Sequence, residues 1–284
     1  MTDAPLDPRN YVYRADLADA RLRGRVEAQR FTEGSPATLC VGCADLKRTP
    51  SAQASNDSQL LFGERLRVFD RKDGWAWVQN DGDGYVGWVR ESALGPLRTA
   101  PDHRVAALRT PQLPEPNVKA PPLDLLPFAS VLRVTHYSGP YAEIEGGGWV
   151  FVAHLVQSDK ADSDYIATAW RFLGLPYLWG GRSSLGLDCS ALVQLALGAA
   201  GLALPRDSDQ QETCEAAGRQ LPPDAPRQRG DLLYWPGHVA LALDAERVLH
   251  ATGGPMLVVE EPFAAINARV QAESGRGLRC IRRP

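Results

Sequence analysis

One cysteine and two histidines in the C-terminal third have the types and spacing that acyl transfer needs. Cys189 lies in Leu187-Asp188-Cys189-Ser190-Ala191-Leu192-Val193, at the start of an apolar helical run. The unsatisfied N–H groups and dipole of a helix N-terminus favour an anion, so the position predicts a stabilised thiolate, the form of cysteine that attacks a carbonyl. His238 opens His238-Val239-Ala240-Leu241-Ala242-Leu243 straight after Pro236-Gly237, and His250 ends Val248-Leu249-His250. The turn Asp244-Ala245-Glu246 joins these strands, and antiparallel pairing sets the start of one beside the end of the other. One imidazole then takes the thiol proton while the second fixes its tautomer and orientation.

The elements around these residues read as helices followed by strands. Asp162 or Ser163 caps a helix running to Leu173, with Gly174 as its stop. A second helix spans Asp188 to Ala200 and ends at Gly201; a third covers Ser208–Ala217 and ends at Gly218. Strands follow at Asp231–Trp235, His238–Leu243, Arg247–His250, Met256–Glu260 and Leu278–Ile281. Helices first and an antiparallel sheet after is an α+β pattern.

The first half repeats itself. Leu46-Lys47-Arg48-Thr49-Pro50 returns as Leu108-Arg109-Thr110-Pro111, Leu66-Arg67-Val68 as Leu132-Arg133-Val134, and Gly87-Trp88-Val89 as Gly148-Trp149-Val150. The anchors keep their order while the loops between them change length. Each copy is a run of short, turn-bounded strands of the kind that builds a small β-barrel. Glu64 and Tyr85 of the first copy align with Ser130 and Gly146 of the second, so the acid and the phenol read as private to copy one and dispensable for the barrel. Residues 1–37 form an N-terminal extension with a short helix expected around Asp16–Arg25.

At 284 residues the chain has room for two or three domains. A formal net charge of -3 argues against a nucleic-acid or anionic-membrane partner. Met1-Thr2-Asp3-Ala4-Pro5 lacks a basic segment leading into an apolar core, so no secretory signal is read, and the longest uncharged run, Cys189–Pro205, is too short to span a membrane. Five cysteines, an odd and scattered number, point to a reducing compartment, most simply the cytoplasm. Cys40-Val41-Gly42-Cys43 has no second closely spaced pair to complete a zinc site and lies in a strand-like run rather than opening a helix, so neither metal nor redox chemistry is expected. No cofactor is implied. Asn56-Asp57-Ser58 matches a glycosylation sequon that matters only on a secreted chain.

The two repeats resemble bacterial SH3-like domains, over residues 38–95 and 104–157. Residues 162–284 resemble the NlpC-type family of papain-like cysteine peptidases that cut bacterial cell-wall peptides. Six ordered blocks carry this: Gly174-Leu175-Pro176-Tyr177-Leu178-Trp179-Gly180-Gly181, Asp188-Cys189-Ser190, Leu204-Pro205-Arg206-Asp207-Ser208, Gly230-Asp231-Leu232-Leu233-Tyr234-Trp235, His238-Val239 and His250-Ala251. One departure is Ala191, where the family often has Gly. The fold implied is two small SH3-like β-barrels followed by a papain-like α+β catalytic domain. The resemblance implies Cys189 as nucleophile, His238 as general base and then acid, His250 as the polar third member, and Tyr177 as a second oxyanion donor beside the Cys189 backbone N–H.

Two SH3-like copies ahead of this domain are similar to the γ-D-glutamyl-L-diamino acid endopeptidases of murein-peptide recycling. These release L-Ala-γ-D-Glu from peptides with a free N-terminal L-Ala. Their pattern implies that Glu64 and Tyr85 close the cleft around the terminal ammonium. It also makes Asp188 and Asp207 the acids on the catalytic side, and it gives Ser190, Arg206 and Ser208 the D-Glu carboxylate or backbone. Three alternatives stand beside this reading: an exported hydrolase that uses the SH3-like pair to bind polymeric wall, an amidase or acyltransferase on the same scaffold, and a non-catalytic peptide-binding protein. The sequence does not reveal oligomeric state or whether meso-diaminopimelate or L-Lys is preferred.

Overall fold

The computed structural model describes residues 6–284, which form two compact units meeting at Asp159 and Lys160. Among the described residues no helix is long and apolar enough to cross a membrane.

The first unit is built of β-strands. Its first module is a seven-stranded sheet in the spatial order Asn56–Leu61, Cys43–Lys47, Val86–Arg90, Trp75–Asn80, Arg65–Lys72, Ser35–Leu39 and Leu94–Gly95. The period-two alternation of a strand decides which side chains meet. Along Trp75–Asn80, Ala76 and Val78 face a core with Leu39, Leu46, Leu60 and Val89, while Trp75 and Trp77 face the other way with Trp88. The sheet approaches itself closely at Gly87, where a Cβ would stand 2.6 Å from Leu46 Cγ.

That second face is covered by the N-terminal segment. Val12 and Leu17 pack on the tryptophans, and the Arg14 guanidinium lies 4.2 Å over the Trp77 ring. The short helix expected around Asp16–Arg25 does not form. Leu17–Asp19 instead pairs in parallel with Arg30–Thr32, and Ala20–Leu22 makes a 3-10 turn capped by the Asp19 carboxylate. Gly24, at φ +82°, then turns the chain, and the segment lies extended because its task is to cover a flat aromatic surface.

The second module holds a three-stranded sheet (His103–Val105 between Val131–Leu132 and Leu155–Gln157), the pair Arg109–Gln112 and Asp124–Pro127, and the meander Val134–Ser138, Tyr141–Ile144, Trp149–Phe151. Around one turn its backbone repeats the hydrogen bonds of the first module. Gly63 N–H donates to Leu39 O at 2.9 Å and Ala129 N–H to Val105 O at 2.9 Å. Glu64 N–H donates to Leu61 O as Ser130 N–H does to Pro127 O, both at 3.1 Å. Gly63 and Ala129 share the left-handed conformation, with φ +81° and +68°.

The two modules are joined by more than a linker. Phe62, from the turn after Asn56–Leu61, belongs to the second module's core with Val105, Leu126, Leu132 and Ile144. Around it Val131 N–H donates to Phe62 O at 3.0 Å and Gly42 N–H to the Asp124 carboxylate at 2.7 Å.

The second unit is α+β. Its helices are α1 (Tyr165–Trp170), α2 (Cys189–Ala199), α3 (Ser208–Thr213) and α4 (Phe263–Ser274). Its sheet runs in the order Arg219–Leu221, Cys280–Arg283, Leu232–Trp235, His238–Ala242, Arg247–Thr252, Leu257–Pro262, with every neighbour antiparallel. Asp164, not Asp162 or Ser163, caps α1 by accepting from the N–H groups of Ile166 and Ala167; Asp162 accepts from the Thr168 hydroxyl instead. α2 is buried nearly throughout and packs on the His238 and His250 strands. α4, which the sequence pattern did not announce, covers the opposite face with Ile266, Phe263 and Val270.

Removing the Phe62 ring opens a cavity in the second module from a residue of the first. Phe62→Ala is expected to destabilise the first unit by about 3–5 kcal/mol. Hydrogen exchange should then show lost protection in Val131–Leu132 and Tyr141–Ile144 as well as around Phe62; protection lost near Phe62 alone would contradict the shared core.

Candidate active site

The site is built on the N-terminus of α2. Asp188 caps the helix by accepting the Ala191 N–H at 2.9 Å and the Ser190 hydroxyl at 3.1 Å. Its second oxygen accepts the Gly180 N–H at 3.1 Å, which ties the Tyr177–Gly181 loop to the helix start. Arg206 completes the arrangement with two bonds to the same carboxylate, at 2.9 and 2.7 Å, and further bonds to Ser190 Oγ and Gly181 O. Its side chain is 0% exposed. An unpaired carboxylate here would meet a large desolvation penalty, and the bidentate guanidinium offsets it.

This corrects one expectation. Arg206 is wholly buried and its donors face the protein, so it braces the cysteine loop and does not itself hold a ligand carboxylate. Asp188, paired with Arg206, carries little uncompensated charge. Asp207 and Ser208 lie half-buried at the start of α3, which Asp207 caps through its carbonyl and not its side chain.

The backbone N–H of Val239, the residue after His238, lies close enough to the Cys189 sulfur to favour its thiolate, which places the thiol near the head of the His238 strand. His238 Nε2 stands 2.7 Å from His250 Nδ1, with the rings edge to face at 74°. The two imidazoles meet as the strand pairing predicts, with Leu241 opposite Leu249 and Ala242 opposite Val248 in the ladder below them. Trp235 packs 5.9 Å from His238 and is fixed by donating to Asn267 of α4 at 3.0 Å. Tyr177, half-buried, is held by its N–H on Met256 O at 2.8 Å; burial and then the nearby Cys189 and Asp188 push its phenol up. Trp179, its neighbour in the motif, is 65% exposed.

Sequence reasoning missed the far side of His250. Glu261 Oε2, on the adjacent Leu257–Pro262 strand, is 3.3 Å from His250 Nε2, at the outer edge of hydrogen-bonding distance and off the ideal line. Arg269 of α4 donates to that same oxygen at 2.7 Å. Glu261 follows a strand pattern and Arg269 lies on an unforeseen helix, so nothing in the local sequence linked either to a histidine.

Burial decides the resting charges. It pushes the Cys189 thiol up to about 12, assisted by Asp188 and opposed by the Val239 N–H, Arg206 and the Ser190 N–H. It takes His238 down to about 3, with His250 and Arg269 adding to the effect. It takes His250 down to about 4, against the pull of Glu261. A helix N-terminus is worth about 1 kcal/mol to an anion, whereas moving a thiol from 9.0 to about 12 disfavours the thiolate by roughly 4 kcal/mol. The expected stabilised thiolate is therefore not the resting form. Burial thus favours the neutral thiol and the neutral imidazoles at rest.

The sequence pattern of the NlpC/P60 family matches residues 174–270. The γ-D-glutamyl-L-lysine dipeptidyl-peptidase of Bacillus subtilis (strain 168) is 30% identical over 221 residues, 68% of this chain and 71% of that one. The chain belongs to the NlpC/P60 family. It is thus a cysteine peptidase, with a fold of SH3-like β modules and a papain-like α+β domain. The pattern of the bacterial dipeptidyl-peptidase SH3 domain matches residues 46–94, within the first module of this NlpC/P60 chain. A second relative, the γ-D-glutamyl-L-lysine dipeptidyl-peptidase of Bacillus cereus, is 27% identical over 228 residues, 69% of this chain and 67% of that one. A solved NlpC/P60 family protein from Bacillus cereus shares the fold, with a TM-score of 0.75 at 21% identity over 88% of this chain and 99% of that one.

Glu64 and Tyr85 lie in the first module. Glu64 accepts the Leu61 N–H at 2.9 Å and an Asn80 amide hydrogen at 3.3 Å, and Tyr85 is buried in the module's core. Both therefore help to build the barrel, contrary to the sequence reading that it could do without them. Cys40 and Cys43 are half-buried and form no disulfide, and no metal-binding cluster occurs among the described residues.

Two pH dependences follow. The labelling rate of Cys189 by iodoacetamide, followed by peptide mapping, should rise about tenfold per pH unit from pH 6 to 9; a plateau from pH 5 upward would reveal a thiolate–imidazolium pair instead. The folded state holds His238 and His250 neutral below the pH near 6.5 at which the unfolded chain protonates them. Unfolding therefore takes up protons, and stability falls as pH drops from about 6.5 toward 4. Denaturant titrations of His238→Asn across that window should show a shallower fall than wild type.

Proposed function

We propose that this chain hydrolyses the γ-D-glutamyl-L-diamino acid bond of murein peptides with a free N-terminal L-Ala, releasing L-Ala-γ-D-Glu in cell-wall peptide recycling in the cytoplasm. The observation that carries the reaction is the His238–His250 contact at 2.7 Å beside a thiol at a helix N-terminus. The substrate class is supported by the two dipeptidyl-peptidase relatives and by the match of residues 46–94 to an SH3 domain of such enzymes.

Cys189 Sγ attacks the γ-carbonyl as its proton passes to His238. The oxyanion meets the Cys189 N–H, in the first turn of α2 where no intrahelical acceptor exists, and the Tyr177 hydroxyl. Collapse of the tetrahedral species breaks the C–N bond, and His238 returns the proton to the leaving amine of the diamino acid. A water activated by the same imidazole then cleaves the thioester. Asp207 and Ser208 are the polar groups assigned to the dipeptide on the catalytic side, with Ser190 held in place by Asp188 and Arg206.

Reading of the free amine is assigned to Glu64 and Tyr85 on the strength of the resemblance. An ammonium taken out of water needs a carboxylate partner, and an N-acylated peptide leaves that carboxylate unpaired, a difference of several kcal/mol. Both residues also serve the barrel, so the gentlest substitutions test them best. Glu64→Gln keeps an acceptor for the Leu61 N–H while removing the charge.

With L-Ala-γ-D-Glu-meso-diaminopimelate and its N-acetyl form as substrates, Cys189→Ala should abolish turnover while binding persists. Glu64→Gln should narrow the preference for the free peptide by at least tenfold. Equal loss on both peptides would defeat the assignment of Glu64, and wild-type turnover of polymeric murein at a comparable rate would favour a wall hydrolase instead.

A further inference from the structure

We infer that Glu261, held by Arg269, is a positioning residue that fixes the tautomer of His250 and thereby decides which nitrogen of His238 is the base. The inference rests on the proposed roles of Cys189, His238 and His250.

His238 presents Nε2 to His250 Nδ1 at 2.7 Å, so one of these nitrogens carries the shared hydrogen. The remaining ring nitrogen of His238, Nδ1, is the one left for the thiol and must be bare to accept its proton. A neutral His238 with bare Nδ1 carries its hydrogen on Nε2 and donates to His250 Nδ1. His250 must then carry its own hydrogen on Nε2. That nitrogen is buried, and the acceptor beside it is Glu261 Oε2 at 3.3 Å. The opposite tautomer would aim the His250 Nε2 lone pair at a carboxylate, and its Nδ1–H would either meet the Nε2–H of His238 or donate to a bare Nε2, leaving the His238 hydrogen on Nδ1 where the thiol proton must go. The carboxylate therefore selects the competent arrangement through its field, in the manner of the acid behind a catalytic histidine but one imidazole further back.

Three elements bring charge to His250: its own sheet neighbours supply His238 and Glu261, and α4 supplies Arg269. Arg269 donates to Oε2 at 2.7 Å and approaches Oε1 at 3.5 Å, which fixes the carboxylate plane and keeps it ionised. During attack the Cys189 S–H proton moves to His238 Nδ1, the S–C bond forms and the carbonyl pair moves to oxygen. No proton passes to Glu261.

The test uses the full chain with Glu261→Ala and Glu261→Gln, assayed on L-Ala-γ-D-Glu-meso-diaminopimelate, together with ¹⁵N-histidine NMR. Glu261→Ala should lower kcat about 10–100-fold with KM within about twofold, and the His250 signals should change from the Nε2–H tautomer to a mixture. Glu261→Gln, whose amide oxygen Arg269 can hold where Oε2 stands, should keep most of the activity and the Nε2–H tautomer. A His250 tautomer unchanged in Glu261→Ala, or a kcat within twofold of wild type, would overturn the inference whatever the melting temperature of the variant. Turnover by Cys189→Ala would instead remove the triad on which it rests.

Discussion

With the Cys189 sulfur and the His250 ring withdrawn from water, a thiolate or an imidazolium at rest would stand without its hydration shell. The domain leaves both groups neutral and lines up the acceptors that a proton needs when a substrate arrives. The helix N-terminus, the Val239 N–H and the Tyr177 hydroxyl are all too weak to ionise the thiol alone. They act on charge that develops during attack, which is where stabilisation accelerates a reaction. The sheet supplies the direction of transfer, because His238, His250 and Glu261 come from three neighbouring strands and can meet only in the observed order.

The Asp188–Arg206 pair shows the same logic applied to backbone. A cap on α2 could be made by a serine or asparagine at less desolvation cost. The carboxylate is used here because it accepts from the Gly180 N–H, the Ser190 hydroxyl, the Ala191 N–H and Arg206 together, and so locks two loops to one helix start. The result is a nucleophile whose position depends on a buried ion pair, so either partner lost alone leaves a charge stranded inside the domain.

Much of this was legible in the residues because the signals were local. Asp188 before an apolar run and Gly201 after it mark α2, and the short turn between two apolar strands brings His238 to His250. The repeated Gly-Trp-Val and Leu anchors announced two related modules before their hydrogen bonds were seen to match. What stayed hidden depended on distant partners. α4 buries a single residue completely, Ile266, so its apolar stripe is faint. The N-terminal segment takes its extended shape from the tryptophans of a sheet sixty residues on. Arg206 sits in a polar motif that does not say whether its guanidinium points inward or outward, and only the bidentate contact with Asp188 decides it.

Phe62 carries a further implication for how such a protein is handled and how it changes over time. Its ring is a piece of one module's interior supplied by the other, so a cut between the two repeats leaves one fragment with an oily plug in water and the other with an open socket. Exchanging a single repeat for a foreign one would meet the same obstacle unless plug and socket travelled together. The tandem is therefore best treated, in cloning as in ancestry, as one inheritable piece with two lobes.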